Sequence, residues 1–345
     1  MTSFASIGAA LSLVASVATY YVLYEVLGIQ HAICFGGFGA TSAPFIEVQV
    51  MKGVAYIFEA STLVDDIETQ YQHVEVFHHP YVGNILAIDG SLQITSLDEH
   101  HYHEMMVHVP CAYLTDPKKA LIIGGGDGGA LMRILQYPSL TSALLVDIDM
   151  HTMRDISYQY FPHLADGFLD PRTKAIAYDG NQWVIEQLDD ETNEGSYDFI
   201  VIDSTDYGSS EPLFTNVFYN NVKKLLRQKG SGRSVAVLNL DSPSWNREVL
   251  YAVQHQMAQL FTYSYVYQCQ QPTYLGGHFS FLFVSDTVNP MTTKIDWDAW
   301  RGLNLSTGYY TPERHYGSFM LSRRVQETLT MSGRLHDIPK ENFPI

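Results

Sequence analysis

Cysteine is scarce in this chain: Cys34, Cys111 and Cys269 are the only three in 345 residues, and no two of them form a CxxC pair. That spacing indicates neither a disulfide framework nor a thiolate zinc site, and it fits a reducing compartment. Positive charge is scarce as well. Twenty Lys and Arg stand against thirty-seven Asp and Glu, a formal charge of -17. Such a balance repels nucleic acid and anionic lipid and draws cationic partners, unless the surplus acid serves solubility alone. Charge of either sign is missing from Phe4 to Tyr24, and Glu25 and Glu47 are the only charged side chains before Lys52. About 20 apolar residues suffice to cross a bilayer, and Gly8, Ser12 and Ser16 set small residues at four-residue spacing, which lets helices approach closely. Residues 4–28 therefore admit a membrane anchor. No Lys or Arg flanks them to orient a span or to open a signal peptide, so a helix buried against a partner subunit and a cleaved targeting segment stay open beside it.

Internal repeats and low-complexity tracts are also absent. With 46% hydrophobic and 13% aromatic residues, the chain has the means for one large domain with smaller attachments. Three regions follow: an apolar extension over 1–50, a small β-domain over 51–112 and a large α/β domain over 113–345. From Val54 to Asp89 apolar and polar residues alternate around VEVFHH and NILAIDG, with turn signals at His79-Pro80, Gly83-Asn84 and Asp89-Gly90, the pattern of short antiparallel strands. EHHYHEMMVHV, Glu99 to Val109, has helical spacing, and Pro110 and Pro117 close it. From Ala120 buried strands alternate with helices through ALIIG, ALLVDID, AIAYDG, YDFIVIDS and SVAVLNL, the rhythm of a parallel sheet, and YSYVYQCQ with HFSFLFVS predicts an antiparallel edge. The aromatic tail from about Thr292 should pack on the body.

The stretch ALIIGGGDGGALMR carries the chemistry. Gly124, Gly126 and Gly129 match GxGxxG between a strand and a helix, and Asp147 lies twenty residues beyond Asp127, placed to accept hydrogen bonds from ribose hydroxyls. Asp127 itself argues against a pyrophosphate, which it would repel, and for an ammonium or sulfonium; the alternative is that it caps the next helix. Tyr178-Asp179-Gly180 and Asp203-Ser204-Thr205-Asp206 bring further carboxylates to the carboxyl ends of later strands. Histidines crowd at 78, 79, 100, 101, 103 and 108, but HExxH spacing is missing and no metal is assigned.

In their order YQHVEV, LAIDGSLQIT, DEHHYHEMMVHVP, LIIGGGDGG, VDID, YDG, YDFIVIDSTD, LFTNVFY, QPTY and YYTPERH, these motifs resemble the spermidine synthases, the polyamine aminopropyltransferases, from about Val54 to Leu329. The resemblance implies a small β-stranded domain followed by a Rossmann-like, methyltransferase-type α/β domain, assembled as a homodimer or homotetramer. It implies decarboxylated S-adenosylmethionine as co-substrate, a diamine such as putrescine as acceptor, and no prosthetic group. Gln72, Gly124, Gly126, Asp147, Asp179 and Gly180 would hold the nucleoside, with Asp127 on its aminopropyl ammonium and His103 beside the channel. Asp203, Asp206 and Tyr102 would form the catalytic set, Asp203 taking the proton and Asp206 binding the acceptor amine, with Asn239 and Tyr274 completing the acceptor pocket.

Departures from the family pattern cluster around that pocket. Tyr207-Gly208-Ser209-Ser210 replaces the usual proline-containing loop and is shorter, Asn239-Leu240-Asp241-Ser242-Pro243 stands for QSESP, Leu275-Gly276-Gly277 ends the PTY stretch, and Asp147 replaces a glutamate. Two further readings stand beside aminopropyl transfer: an amine N-methyltransferase using intact S-adenosylmethionine, and an inactive membrane-tethered binding subunit. The catalytic body is expected in the cytoplasm or at a membrane.

Overall fold

The computed structural model describes residues 45–51, 54–59, 61–114, 116–205, 210–227 and 232–329. The apolar segment 4–28 and Asp206 lie outside the described residues, and among these no helix is long and apolar enough to cross a membrane. Two compact units divide between Ile94 and Thr95.

In the smaller unit, β1 (Phe45–Met51) pairs with β2 (Val54–Phe58), and β3 (Thr62–Glu68), β4 (His73–His79), β5 (Gly83–Ile88) and β6 (Ser91–Thr95) form a sheet in sequence order. Strand β4 runs antiparallel to both β3 and β5. Val74, Val76, Ile85 and Ala87 are fully buried. The turn after β5 places Asp89 at φ 50° and Gly90 at φ 77°, the double left-handed geometry that Asp-Gly supplies at low cost in a tight hairpin.

The larger unit is built on a seven-stranded sheet in the order β12-β13-β11-β10-β7-β8-β9. Its strands are β7 (Lys119–Gly124), β8 (Ser142–Asp147), β9 (Thr173–Ala177), β10 (Phe199–Asp203), β11 (Val235–Asn239), β12 (Tyr263–Gln270) and β13 (His278–Ser285). Neighbours from β9 to β11 are parallel, and β13 is antiparallel to both β11 and β12. The expected antiparallel edge pair is thus present, with β12 and β13 together at one end of the sheet. Strand β13 is inserted inside the sheet and the earlier β12 forms the edge, because a hairpin-connected strand can slot between its predecessor and the parallel core.

Continuous apolar runs mark strands covered on both faces, and the side chains divide with period two. Ile122, Phe199, Val201, Val235 and Val237 belong to one buried cluster, and Leu121, Ile123, Ile200, Ile202, Ala236 and Leu238 to the other. Helices α1 (Glu99–Cys111) and α2 (Gly129–Leu135) cover the first face. The remaining α-helices are α3 (Met150–Tyr160), α4 (Pro162–Ala165), α5 (Gly180–Gln187), α6 (Asn216–Leu225), α7 (Arg247–Leu260), α8 (Trp297–Gly302), α9 (Pro312–Ser318) and α10 (Arg323–Leu329). Of these, α5, α6 and α7 supply Trp183, Phe218, Val222 and Val253 to the second face.

Eleven of the thirteen residues of α1 are buried, so this helix belongs to the larger core and the boundary drawn at 112/113 moves to 94/95. Pro110 sits within its last turn instead of beyond it. The tail packs on the body as expected: Glu104 of α1 accepts the backbone N–H groups of Gly308, Tyr309 and Tyr310, each at 2.8 Å.

Candidate functional site

Strand order reverses at β7, whose neighbours β8 and β10 lead away in opposite directions, so a crevice opens at the carboxyl ends of β7 and β10. There Asp203 is in register with Gly124. Gly124 has φ 79°, and a Cβ on it would lie 2.1 Å from the Asp203 carbonyl oxygen. Only glycine lets the loop leave the strand this close to its neighbour. The Gly125 N–H donates to that same carbonyl at 2.9 Å, which ties the glycine loop to the end of β10.

Onto this backbone converge four of the residues singled out from the sequence. The Tyr102 hydroxyl, from buried α1, donates to Asp203 Oδ1 at 2.5 Å. Burial, then the negative charge of Asp203, pushes the Tyr102 phenol well above its ordinary pKa, so it stays a donor. Asp203 is itself pushed up to about 6, by burial and by the charge of Asp127, with His103 and the Tyr102 hydrogen bond opposing. His103 is fully buried, its Nε2 3.4 Å from Asp127 Oδ1. One polar atom from each of His103, Asp127 and Asp203 lies within 4.8 Å of the others, close enough to surround a small cation.

Asp127 takes the helix-start role that its sequence position allowed. Its Oδ1 accepts the Gly129 N–H at 2.6 Å at the start of α2 while the carboxylate faces His103. Asp147, at the end of β8, accepts the N–H groups of Gly126 at 3.1 Å and Asp149 at 2.8 Å. Burial nevertheless raises it to about 6, with those two bonds opposing. Asp179 accepts the Gln182 N–H at 2.9 Å and so caps α5, which begins at Gly180. Tyr274, between β12 and β13, stands 6.2 Å ring to ring from Tyr102, with Phe279 and Phe281 at 5.4 and 5.1 Å from the same ring. These rings form an apolar wall beside Asp203. Asn239, at the end of β11, donates its amide to the Ser204 carbonyl at 2.7 Å, so its NH₂ group steadies the Asp203 loop. Gln72 belongs to the smaller unit, in the turn before β4, where its N–H and carbonyl bond to Thr69. The histidines crowded in sequence diverge along α1: His101 stacks on Tyr309 at 4.0 Å, and His108 bonds to the Tyr137 hydroxyl at 3.1 Å.

Two groups behind the site were not anticipated. Glu99 takes His103 Nδ1 at 2.8 Å on one oxygen, and Arg133 and His163 at 3.1 Å each on the other. Burial opposes its ionisation, yet the bonds from His103 and His163 and the charge of Arg133 hold Glu99 well below the ordinary carboxylate range. Asp98, just ahead of α1, accepts the Thr273 N–H at 2.9 Å and the hydroxyls of Thr95 and Thr273 at 2.8 Å each. It thereby anchors the loop that carries Tyr274. The helical i,i+4 spacing of Glu99 and His103 was the available signal for the first; nothing local marks Asp98.

Residues 99–294 match the family model of the spermine/spermidine synthase domain. The chain belongs to the spermine/spermidine synthase family. Residues 45–96 also match the model of the spermidine synthase tetramerisation domain. Among members of this synthase family, the polyamine aminopropyltransferase of Clostridioides difficile is 36% identical over 265 residues, covering 76% of this chain and 90% of that one. The Moorella thermoacetica enzyme of the same name is 35% identical over 263 residues, 76% and 88% of the two chains. A spermidine synthase solved with the transition-state analogue AdoDATO superposes with a TM-score of 0.77 at 27% identity, over 89% of this chain and 99% of the other. The Thermotoga maritima spermidine synthase gives 0.73 at 27%, over 83% and 94%.

Proposed function

We propose that the chain transfers the aminopropyl group of decarboxylated S-adenosylmethionine to a diamine such as putrescine, giving spermidine or a related polyamine and methylthioadenosine. The observation that carries this reading is the convergence of Asp127, His103, Tyr102 and Asp203 on one crevice, a cation-gripping carboxylate beside a proton-accepting one. Asp147 and Asp179 hold the nucleoside; Tyr274 and its aromatic neighbours flank the acceptor's methylene chain; Asp206 binds the acceptor amine. The relatives carry aminopropyltransferase names, and neither methyl transfer nor an inactive role has similar support.

In the reaction the acceptor nitrogen forms a bond to the carbon beside sulfur as the C–S bond breaks, its electron pair staying on sulfur, which turns from sulfonium to neutral thioether. The nitrogen must shed a proton, and an aliphatic ammonium holds one to a pKa of about 10. Asp203 is the acceptor of that proton. Raised to about 6, it is a stronger base than an ordinary aspartate near 3.9 by roughly 3 kcal/mol. The proton leaves the ammonium before the C–N bond forms, and the nitrogen becomes positively charged again as the sulfonium loses its own charge. Tyr102 keeps the carboxylate oriented. The resident groups supply proton transfer and charge, and the donor carries its own leaving group. The tetramerisation-domain match supports assembly as a homotetramer, with a homodimer the smaller alternative. The buried free thiols of Cys111 and Cys269 fit a reducing compartment.

Purified protein offered each sulfonium donor with a panel of diamines, its products weighed by mass spectrometry, should form methylthioadenosine and a polyamine from the decarboxylated donor only. S-adenosylhomocysteine instead would replace this reading by methyl transfer. Below pH 6 Asp203 is protonated in the free enzyme and cannot accept a proton, so kcat/KM should fall with acidification through about pH 6. The Tyr102 bond lowers that value, so the limb should move to higher pH in Tyr102→Phe.

A further inference from the structure

Behind Asp127 stands an imidazole whose second nitrogen is buried and has no hydrogen-bond partner, His103 Nε2. We propose that His103 is the built-in counter-cation of the donor site, and that the arriving sulfonium donor expels the Nε2 proton of its imidazolium into solvent. The idea rests on the reading of Asp127 as ligand of the donor's ammonium.

The ring cannot swing away. Its Nδ1 is fixed at 2.8 Å from Glu99, which Arg133 and His163 hold from the other side. Its face lies against the glycine loop so closely that a Cβ on Gly129 would fall 2.1 Å from the ring. Nδ1–H therefore stays with Glu99, and any titration occurs at Nε2. The groups facing that ring are Glu99 and Tyr102 from α1, Asp127 from the glycine loop and Asp203 from β10; Asp147 of β8, Arg133 of α2 and His163 of α4 stand behind those carboxylates. Burial alone would discharge the imidazole, but Asp127, Glu99 and Asp203 outweigh it and raise the pKa above the ordinary value of 6.5. One imidazolium thus offsets carboxylates that would otherwise repel each other across the crevice. When the ammonium takes its place on Asp127, two cations compete for one carboxylate. Loss of the Nε2 proton removes the conflict and turns Nε2 into an acceptor for the ammonium. One N–H bond breaks per site and the proton passes to buffer. Methylthioadenosine has no aminopropyl ammonium and no sulfonium charge, so it leaves the imidazolium intact.

Titration calorimetry of the full chain in buffers of different ionisation enthalpy counts the protons. At pH 6.5, decarboxylated S-adenosylmethionine should release more than about half a proton per site beyond what methylthioadenosine releases. Asp203→Asn removes one other acid able to release a proton, and the excess release by the donor over methylthioadenosine should persist; Asp147, also raised to about 6, meets the nucleoside of both compounds and cancels in that difference, which should vanish in Asp203→Asn with His103→Gln. Donor binding without proton release, equal release by donor and methylthioadenosine, or an excess abolished by Asp203→Asn alone would each overturn the proposal while leaving the nucleoside site intact. If neither compound binds, the function reading falls and this inference with it. The comparison of donor with product uses the unaltered protein, so it decides the matter even if a variant fails to fold.

Discussion

Replacing Asp203 by Asn should lower kcat by about 10²–10⁴, the usual worth of a positioned general base, while donor affinity stays within a few-fold. Asparagine preserves the shape and can still accept the Tyr102 hydroxyl that now reaches Oδ1 at 2.5 Å. What it loses is the capacity to take a proton. Steady-state kinetics with saturating donor and diamine, alongside a binding measurement, separate the two effects. If turnover stays within tenfold of the parent, another group accepts the proton and Asp203 is only a binding residue.

The second large effect belongs to Glu99, which touches no proposed substrate. Its carboxylate, 3% exposed, is the common partner of His103, Arg133 and His163. Glu99→Gln removes the charge and leaves the nearly buried Arg133 without its counter-ion, a loss of about 3–5 kcal/mol in unfolding free energy. The pH dependence has a definite sign. Because the folded-state pKa of Glu99 is depressed, its stabilisation is complete above the unfolded value of about 4.3 and is lost as pH falls through the lower folded one. The gap between parent and variant in urea midpoint should hold from neutral pH down to about 5, then narrow on further acidification. A change below about 1 kcal/mol at neutral pH would mean that the buried cluster contributes no net stability.

These two residues also show where sequence reasoning reached and where it stopped. Asp203, Asp127 and Asp147 were legible because each follows an apolar run, and the end of a parallel strand is where an α/β sheet places its ligands. Tyr102 and His103 came from the family motif on α1, and the structure sets both against those carboxylates. Glu99 lay in the same motif and was passed over: its partners Arg133 and His163 stand 34 and 64 residues away, and such pairings arise only when α2 and α4 pack beside α1. The same holds for Asp98, whose partner Thr273 is 175 residues distant. The insertion of β13 was hidden because alternation reports which face a strand buries and not which neighbour it joins. Asn239 shows a third kind of limit. A side-chain amide at a strand end can turn to backbone, as its NH₂ group does here toward the Ser204 carbonyl.

The claim on which the account stands is that Asp127 grips the donor's positive charge while Asp203, a few ångströms away, takes the acceptor's proton. The most direct measurement is a crystal structure of the protein with decarboxylated S-adenosylmethionine and an unreactive diamine analogue. The expected result places the aminopropyl ammonium within hydrogen-bond distance of Asp127, and the analogue's group at the nucleophile position within hydrogen-bond distance of Asp203. A donor seated with its aminopropyl arm away from Asp127, or an acceptor that never approaches Asp203, would contradict it.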